Sequence, residues 1–157
     1  MKEWFGLAAR LVVGGVWIVA GAIKLPDPAT SVQAVRAYQL LPASVVPTVG
    51  QLLPVVEIVV GLTLVLGVLT RGAAIVSALL FLAFIVGIVS VWARGITIDC
   101  GCFGGGGLDP NATSKYPWEI ARDVALLLLS VYLAWAGRTR LAVDNLIFRI
   151  NPAPEGR

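Results

Sequence analysis

The sequence predicts an all-α integral membrane protein, a four-helix transmembrane bundle with up-down-up-down topology. Of its 157 residues, 58% are hydrophobic and only 13% are charged, and the mean hydropathy is +0.88. Soluble domains are closer to half apolar and a quarter charged. Four separate stretches are long enough to cross a hydrocarbon core about 30 Å thick, which takes roughly 20 helical residues. We expect residues 1–157 to form a single domain.

The predicted spans lie at residues 5–23, 47–66, 72–92 and 117–136. The third is the most apolar, since no charged residue lies between Gly72 and Ala93. The first contains Arg10 near one end, where a long basic side chain can reach the headgroup layer. Its final Ala20-Gly21-Ala22 also resembles a signal-peptide cleavage site, although the apolar stretch is long for a signal.

The connections between the spans differ in length and composition. Residues 31–41 are expected to contain a short helix at the membrane surface, with Tyr38 at the level of the headgroups. A tight turn is expected at 67–71, whereas 93–116 form a long, glycine-rich loop. Beyond residue 137 the chain is polar and basic, and we expect 138–157 to be a cytoplasmic tail.

An even number of spans places both termini on one side of the membrane, which we call the terminal side. Seven of the 12 basic residues then lie on the terminal side: Lys2, Arg10, Arg71, Arg138, Arg140, Arg149 and Arg157. The other side has Lys24, Arg36, Arg94, Lys115 and Arg122. This excess predicts cytoplasmic termini by the positive-inside rule. The loop at 93–116 then faces the outside of the cell membrane, where disulfides persist.

Both cysteines of the chain lie in that loop, in the sequence Asp99-Cys100-Gly101-Cys102-Phe103-Gly104. A disulfide between them closes a very small ring that fits poorly with the preferred geometry of the bond. Gly101 relieves part of the backbone strain, and Gly104 to Gly107 form a flexible run that leaves the loop free to open. A strained disulfide is more oxidising than a structural one, so Cys100 and Cys102 are the candidate catalytic residues.

Other roles for the cysteine pair remain open. Two thiolates bind soft metals such as Cu(I), so the chain is alternatively a metal-handling accessory or a non-enzymatic membrane scaffold. An inert pair is the third reading, although so small a ring removes little entropy from the unfolded chain. Asp99 would raise the pKa of a neighbouring thiol, whereas Arg94 or Lys115 would lower it.

The composition also excludes several classes of function. The chain has no histidine and one methionine, Met1, which excludes histidine-ligated haem, zinc and copper sites. The basic residues are scattered and are not interleaved with aromatic residues, so nucleic acid is not an expected partner. The lipid bilayer is an expected partner.

Charged residues within or at the ends of the predicted spans form a second candidate site. Glu57 lies in the middle of the second span, Arg122 and Asp123 lie near the start of the fourth, and Lys24 follows the first. By the predicted topology these residues converge beneath the cysteine loop as a supporting polar cluster. They are either ion pairs that determine helix packing or a pocket that moves protons or binds the head of a quinone.

Several segments together resemble the MauE branch of the DoxX-like membrane protein family. They are Gly21 to Pro28, Tyr38 to Pro42, Leu53-Pro54 with Glu57, Asp99 to Gly104, and Arg122-Asp123. The resemblance implies a role in the maturation of secreted, disulfide-bearing proteins, with a thioredoxin-like partner and methylamine metabolism as the setting. Better-known membrane thiol oxidases use two cysteine pairs, whereas this chain has one.

The best function is therefore thiol-disulfide exchange at the outer membrane face through a mixed disulfide. The chain is either a thiol-disulfide oxidoreductase that forms half of a redox relay, or a docking factor whose redox centre lies in the partner.

Overall fold

The computed structural model describes residues 1–136 and residue 143, and within them the protein is all-α with one short hairpin. The predicted tail at 138–157 lies outside the described residues except for residue 143. The elements in chain order are α1 (Lys2–Lys24), α2 (Pro28–Ala37), α3 (Val46–Leu66), α4 (Thr70–Ala93), β1 (Ile98–Asp99), β2 (Gly107–Leu108) and α5 (Ala112–Ala136).

Four long helices form the bundle that the sequence predicts. In the described part of the chain, α1, α3 and α4 are long and apolar enough to cross a membrane. The fourth, α5, is also long, at 25 residues, and it packs along α4 and α1. The N-terminal part of α5 contains four charged residues, Lys115, Glu119, Arg122 and Asp123. These residues lower the mean hydropathy of the helix.

The helices are apolar on their outer faces as well as in the core. The main core cluster joins Trp17 of α1, Leu64 of α3, Phe81 of α4 and Leu133 of α5, all of them buried. On α4, Leu79 and Val86 are more than half exposed. A helix that is apolar all round is typical of a membrane span, because its outer face meets lipid.

Close contact between α1 and α3 depends on glycine. Gly14 and Gly21 of α1 and Gly61 of α3 lie where the two backbones meet. A Cβ atom at Gly61 would lie 2.7 Å from the Gly14 carbonyl oxygen and 2.9 Å from the Ile18 nitrogen. Small residues allow helices in membranes to approach closely, and here they bring Lys24 and Glu57 within reach of each other.

The structure corrects the expectation for Arg10. Its side chain does not extend to the headgroup layer: it is 1% exposed, and Nη2 donates to the carbonyl oxygen of Val65 in α3, at 3.4 Å. Arg10 shares a helix face with Gly14 and Trp17, since residues three and four apart lie on one face. That face packs against α3, which places the guanidinium inside the bundle.

The connection after α1 also differs from the prediction. The short helix is α2, which begins at Pro28 rather than at residue 31, because the Asp27 carboxylate caps it by accepting from the amide of Thr30. Proline at the first helical position favours the same start. Tyr38 directs its hydroxyl to the carbonyl oxygen of Cys100, at 2.7 Å, a contact that the sequence did not predict.

Gly61→Ala is expected to destabilise the protein by about 1–3 kcal/mol, because the new methyl group collides with backbone atoms that cannot rotate away. Gly15→Ala is the matched control, since no atom lies within 4 Å of the corresponding Cβ position. Thermal unfolding of the purified protein in detergent checks both variants. Equal midpoints for the two would contradict the close approach of α1 and α3.

Candidate functional site

The two cysteines lie in a closed turn between β1 and β2. The strands pair antiparallel, with Asp99 opposite Gly107, and hold together the two ends of residues 100–106. Both thiols are free and each cysteine is only 6% exposed. The amide of Cys102 donates to the sulfur of Cys100, at 3.3 Å. The pair therefore sits side by side in one turn, directed into the protein rather than into solvent.

Side chains from three parts of the protein anchor this turn. The Tyr116 hydroxyl of α5 accepts from the amide of Ile98 and donates to a carbonyl oxygen of the same segment. The Tyr38 hydroxyl binds the carbonyl oxygen of Cys100. Within the turn, the Asp99 carboxylate accepts from the amide of Gly101, at 3.0 Å. These contacts satisfy backbone groups that a buried loop would otherwise leave without partners.

Glycine allows the turn to lie directly on α2. Gly101 has φ +66° and Gly106 has φ +139°, conformations that other residues rarely adopt. A Cβ atom at either position would lie within 2.8 Å of the Ala34 side chain. The sequence predicted a flexible linker for the run from Gly104 to Gly107, and within this run Gly106 lies directly against Ala34 of α2.

The predicted polar cluster forms two ion pairs in the bundle. Nζ of Lys24 lies 2.6 Å from Oε1 of Glu57, and both side chains are almost completely buried. Nη2 of Arg122 lies 2.8 Å from Oδ1 of the adjacent Asp123. The second oxygen of each carboxylate, Glu57 Oε2 and Asp123 Oδ2, is buried without a hydrogen-bond partner. Each ion pair therefore has one acceptor atom without a donor. Burial of such an atom in an apolar interior costs free energy.

Aromatic rings link the ion pairs to the cysteine turn. The Phe103 ring lies against the Arg122 guanidinium, 4.7 Å from ring centroid to Cζ, and Nζ of Lys24 lies 5.5 Å from the centroid of Phe84. Cation-π contacts of this kind stabilise buried cations. The expectation that the four charged residues lie beneath the turn therefore has a geometric basis, although their role stays a prediction.

Two small cavities separate the cysteines from the ion pairs. One, of about 20 Å³, is lined by Cys100, Gly101, Lys24, Tyr38 and residues of α2 that include Ser31. The other, of about 10 Å³, is lined by Cys102, Phe103, Arg122, Asp123 and core residues of α1 and α4. The larger has room for one water molecule, and the smaller lies at the lower limit. A quinone ring fits neither of them in this conformation.

The described residues contain no group of three or more histidine, cysteine or acidic side chains arranged to hold a metal ion. A Cu(I) ion at this turn would have the two thiolates of Cys100 and Cys102 as its protein ligands.

The surroundings of Cys102 favour the protonated thiol. Hydrogen bonding to Cys100 and burial raise the pKa of Cys102 well above its ordinary value. The two basic residues that the sequence offered for stabilising a thiolate are bound elsewhere. Arg94 donates to the Tyr38 and Ser90 carbonyl oxygens, and Lys115 pairs with Asp109 at 2.6 Å. Burial likewise raises the pKa of Tyr38, so its hydroxyl remains a donor to the turn.

Sequence reasoning missed one acidic residue at the site. Glu119, in α5, lies between Tyr116 and Arg122, which contact the cysteine segment, and its Oε2 atom is buried without a hydrogen-bond partner. The signal was present in the spacing, because Glu119 precedes Arg122 by three positions and Asp123 by four. Residues at these spacings share a helix face, so a face directed at the cysteine turn would carry all three.

The fold and the site agree with the comparison against known protein families. The family model described as methylamine utilisation protein MauE matches residues 2–136. This chain belongs to the MauE family. The match includes every helix of the bundle, the cysteine turn and both ion pairs.

A curated relative supports the assignment. The methylamine utilization protein MauE of Paracoccus denitrificans is 35% identical over 129 residues, which cover 81% of this chain and 67% of the relative. No solved structure matches this MauE-family chain.

Lys24→Met is expected to destabilise the protein by about 3–5 kcal/mol, because it leaves the Glu57 carboxylate buried without a cation. The double variant Lys24→Met/Glu57→Leu removes both charges and is expected to recover most of that loss. Thermal unfolding and the yield of folded protein in detergent check this. A double variant less stable than Lys24→Met would contradict the pairing.

Proposed function

We propose that this protein exchanges thiols and disulfides at the outer membrane face through Cys100 and Cys102. The observation that carries the proposal is the side-by-side arrangement of the pair, in which the Cys102 amide binds the Cys100 sulfur at 3.3 Å. Conversion between the Cys100-Cys102 disulfide and two free thiols then requires only a small local movement of the cysteine turn. The MauE family match adds support, since it covers this turn together with the bundle beneath it.

The reaction is a two-electron exchange with a thiol protein. When the Cys100-Cys102 disulfide meets a partner dithiol, a partner thiolate attacks one sulfur and forms a mixed disulfide. The second partner thiolate then releases the chain as two thiols, which take up the two protons that the partner loses. The reverse direction uses the same intermediate, with a partner disulfide as the oxidant.

The burial of both sulfurs means that exchange requires the turn to open toward the partner. Leu108 and Phe103 are the apolar side chains exposed on the loop, at 86% and 37%. They mark the surface that a thioredoxin-like partner would meet. With α5 as a fourth span and both termini in the cytoplasm, this surface faces the outside.

The family also supports a physiological setting. The curated relative is named for methylamine utilisation, and we propose the same setting for this chain, in the maturation of a secreted protein with disulfides. The chain has one cysteine pair. It therefore acts as half of a relay whose other dithiol lies in the partner, with Lys24, Glu57, Arg122 and Asp123 supporting the turn.

Single serine variants test whether the thiols exchange. A reconstituted Cys100→Ser or Cys102→Ser protein is mixed with a thioredoxin that keeps only its attacking cysteine, activated as a mixed disulfide with thionitrobenzoate. One of the two variants is expected to displace thionitrobenzoate and accumulate a mixed disulfide, visible as a shifted band on a non-reducing gel, because neither protein keeps a thiol that could resolve it. The double variant is the control for nonspecific capture. Full support of substrate maturation by the double variant would refute the proposal.

A redox titration of the purified wild-type protein in glutathione buffers is a second test. We expect a potential above about −300 mV, because a disulfide within so small a ring is strained and readily reduced. Thiol alkylation followed by mass spectrometry measures the fraction oxidised. A value below about −300 mV is typical of an inert structural bridge and would count against exchange.

A further inference from the structure

The cysteine turn rests on one face of α2 and on the tyrosine that ends this helix. Ala34 and Tyr38 are four residues apart, a spacing that places both on the same side of a helix. A Cβ atom at Gly101 or Gly106 would lie 2.7 or 2.8 Å from Cβ of Ala34. The Tyr38 hydroxyl donates to the carbonyl oxygen of Cys100, at 2.7 Å. The turn therefore contacts this face through a packed surface and a hydrogen bond.

Tyr38 is itself fixed through its backbone and its ring. Its carbonyl oxygen accepts from Nη2 of Arg94, at the end of α4. Gln39, the next residue, has φ +53°, a left-handed conformation that is uncommon outside glycine and that often ends a helix. The Tyr38 ring lies against Gly87 of α4, where an added Cβ atom would be 3.0 Å from Cε1 of the ring. Contacts with α4 thus determine where the hydroxyl meets the turn.

Tyr38 differs from Tyr116, the other tyrosine of the site, in what it holds. The Tyr116 hydroxyl binds backbone groups of β1 and of the residues just before it. Tyr38 binds Cys100 itself, in the part of the turn that has to move. Cys100 and Cys102 are each only 6% exposed, so a partner reaches their sulfurs only after this movement. A movement of the turn away from α2 separates the Cys100 carbonyl from the Tyr38 hydroxyl.

We propose that Tyr38 is a positioning residue that holds the cysteine turn closed on α2, and that the turn opens when the hydrogen bond from Tyr38 to Cys100 breaks. The purpose of the opening rests on the proposed exchange function, whereas the closed contact and its release are properties of the fold. Loss of one such bond costs little compared with unfolding of the bundle, so the turn can open while the long helices stay packed.

Tyr38→Phe tests the hydrogen bond alone, because it removes the hydroxyl and keeps the ring against Gly87. The reduced full-length protein in detergent is treated with N-ethylmaleimide, and mass spectrometry follows the labelling of the two thiols. When the turn recloses faster than it is labelled, the rate reports the fraction of molecules with an open turn. We expect Tyr38→Phe to label about two- to tenfold faster than the wild type, which corresponds to the loss of one hydrogen bond. An unchanged rate would overturn the proposal.

Gly87→Ala disturbs the same contact from the other side of the ring. The new methyl group would lie 3.0 Å from Cε1 of Tyr38, so the ring has to shift and its hydroxyl moves with it. We expect faster labelling here as well. Gly72→Ala is the matched control, since it makes the same substitution in α4 with no atom within 4 Å of its Cβ position, and it should label at the wild-type rate.

The double variant Tyr38→Phe/Gly87→Ala shows whether the two changes act on one contact. Their effects on the labelling rate should not add, because the ring that Gly87→Ala displaces no longer has a hydroxyl to lose. Full additivity, or faster labelling of Gly72→Ala, would contradict the role of Tyr38.

A further control separates local opening from a general loss of stability. Gly61→Ala disturbs the contact of α1 with α3 and changes no atom that lies against Tyr38 or the turn. For a local opening, Gly61→Ala should label within about twofold of the wild type although it unfolds at a lower temperature. Equal acceleration in Gly61→Ala and Tyr38→Phe would show that labelling follows the stability of the whole bundle, and would overturn the proposal.

These outcomes are distinguishable from those of the proposed exchange. Faster labelling of Tyr38→Phe together with a failure to trap a thioredoxin would refute the exchange and leave the role of Tyr38 standing. Trapping together with unchanged labelling would support the exchange and overturn the role of Tyr38. When both proposals hold, adding Tyr38→Phe to the single serine variant that traps the thioredoxin should speed formation of the mixed disulfide, because the partner meets an open turn more often.

Discussion

The ion pair between Lys24 and Glu57 is the interaction on which the half of the molecule that contains the cysteine turn depends. Its two side chains are buried, 2.6 Å apart, in a bundle whose surface is apolar. Neither charge is tolerated there alone, because the interior has no water to solvate it. The pair therefore requires α1 and α3 to meet in one register, and the glycines at their contact permit the close approach. With that register in place, Lys24 lies beneath the cysteine turn, where it lines a cavity together with Cys100.

The cysteine turn is built on this frame by hydrogen bonds to its own backbone. Tyr116 comes from α5 and Tyr38 from the segment after α2, and both place a phenol hydroxyl on carbonyl or amide groups of the turn. Two glycines let the same turn lie on Ala34 of α2. The result is a dithiol that is packed and sheltered from solvent. In a thiol-exchange protein, such shelter prevents nonspecific oxidation and makes reaction depend on a partner that opens the turn.

The two thiols are unequal although they are separated by one residue. Cys102 lines a cavity with Arg122 and Asp123 and has a raised pKa, whereas Cys100 lines a second cavity with Lys24 and Tyr38. Unequal surroundings are what a two-step exchange needs, because one thiol must attack first and the other must wait. In the exchange that we propose, this single pair passes electrons between two partners in turn.

The sequence by itself determined the all-α membrane class and the positions of the four long helices within a few residues, and it indicated the cysteine turn as the candidate site. These follow from local properties: runs of apolar residues set the spans, and both cysteines lie in one short segment. It also indicated the four charged residues, because charge within an apolar span is rare and needs a partner. Only the tertiary structure decided that Arg10 is buried, that Tyr38 binds the turn, that Gly101 and Gly106 lie against Ala34, and that Glu119 has a buried oxygen without a hydrogen-bond partner. Each of these contacts joins helix faces from residues that are tens of positions apart in the sequence. The hydropathy pattern does not specify which faces pack together.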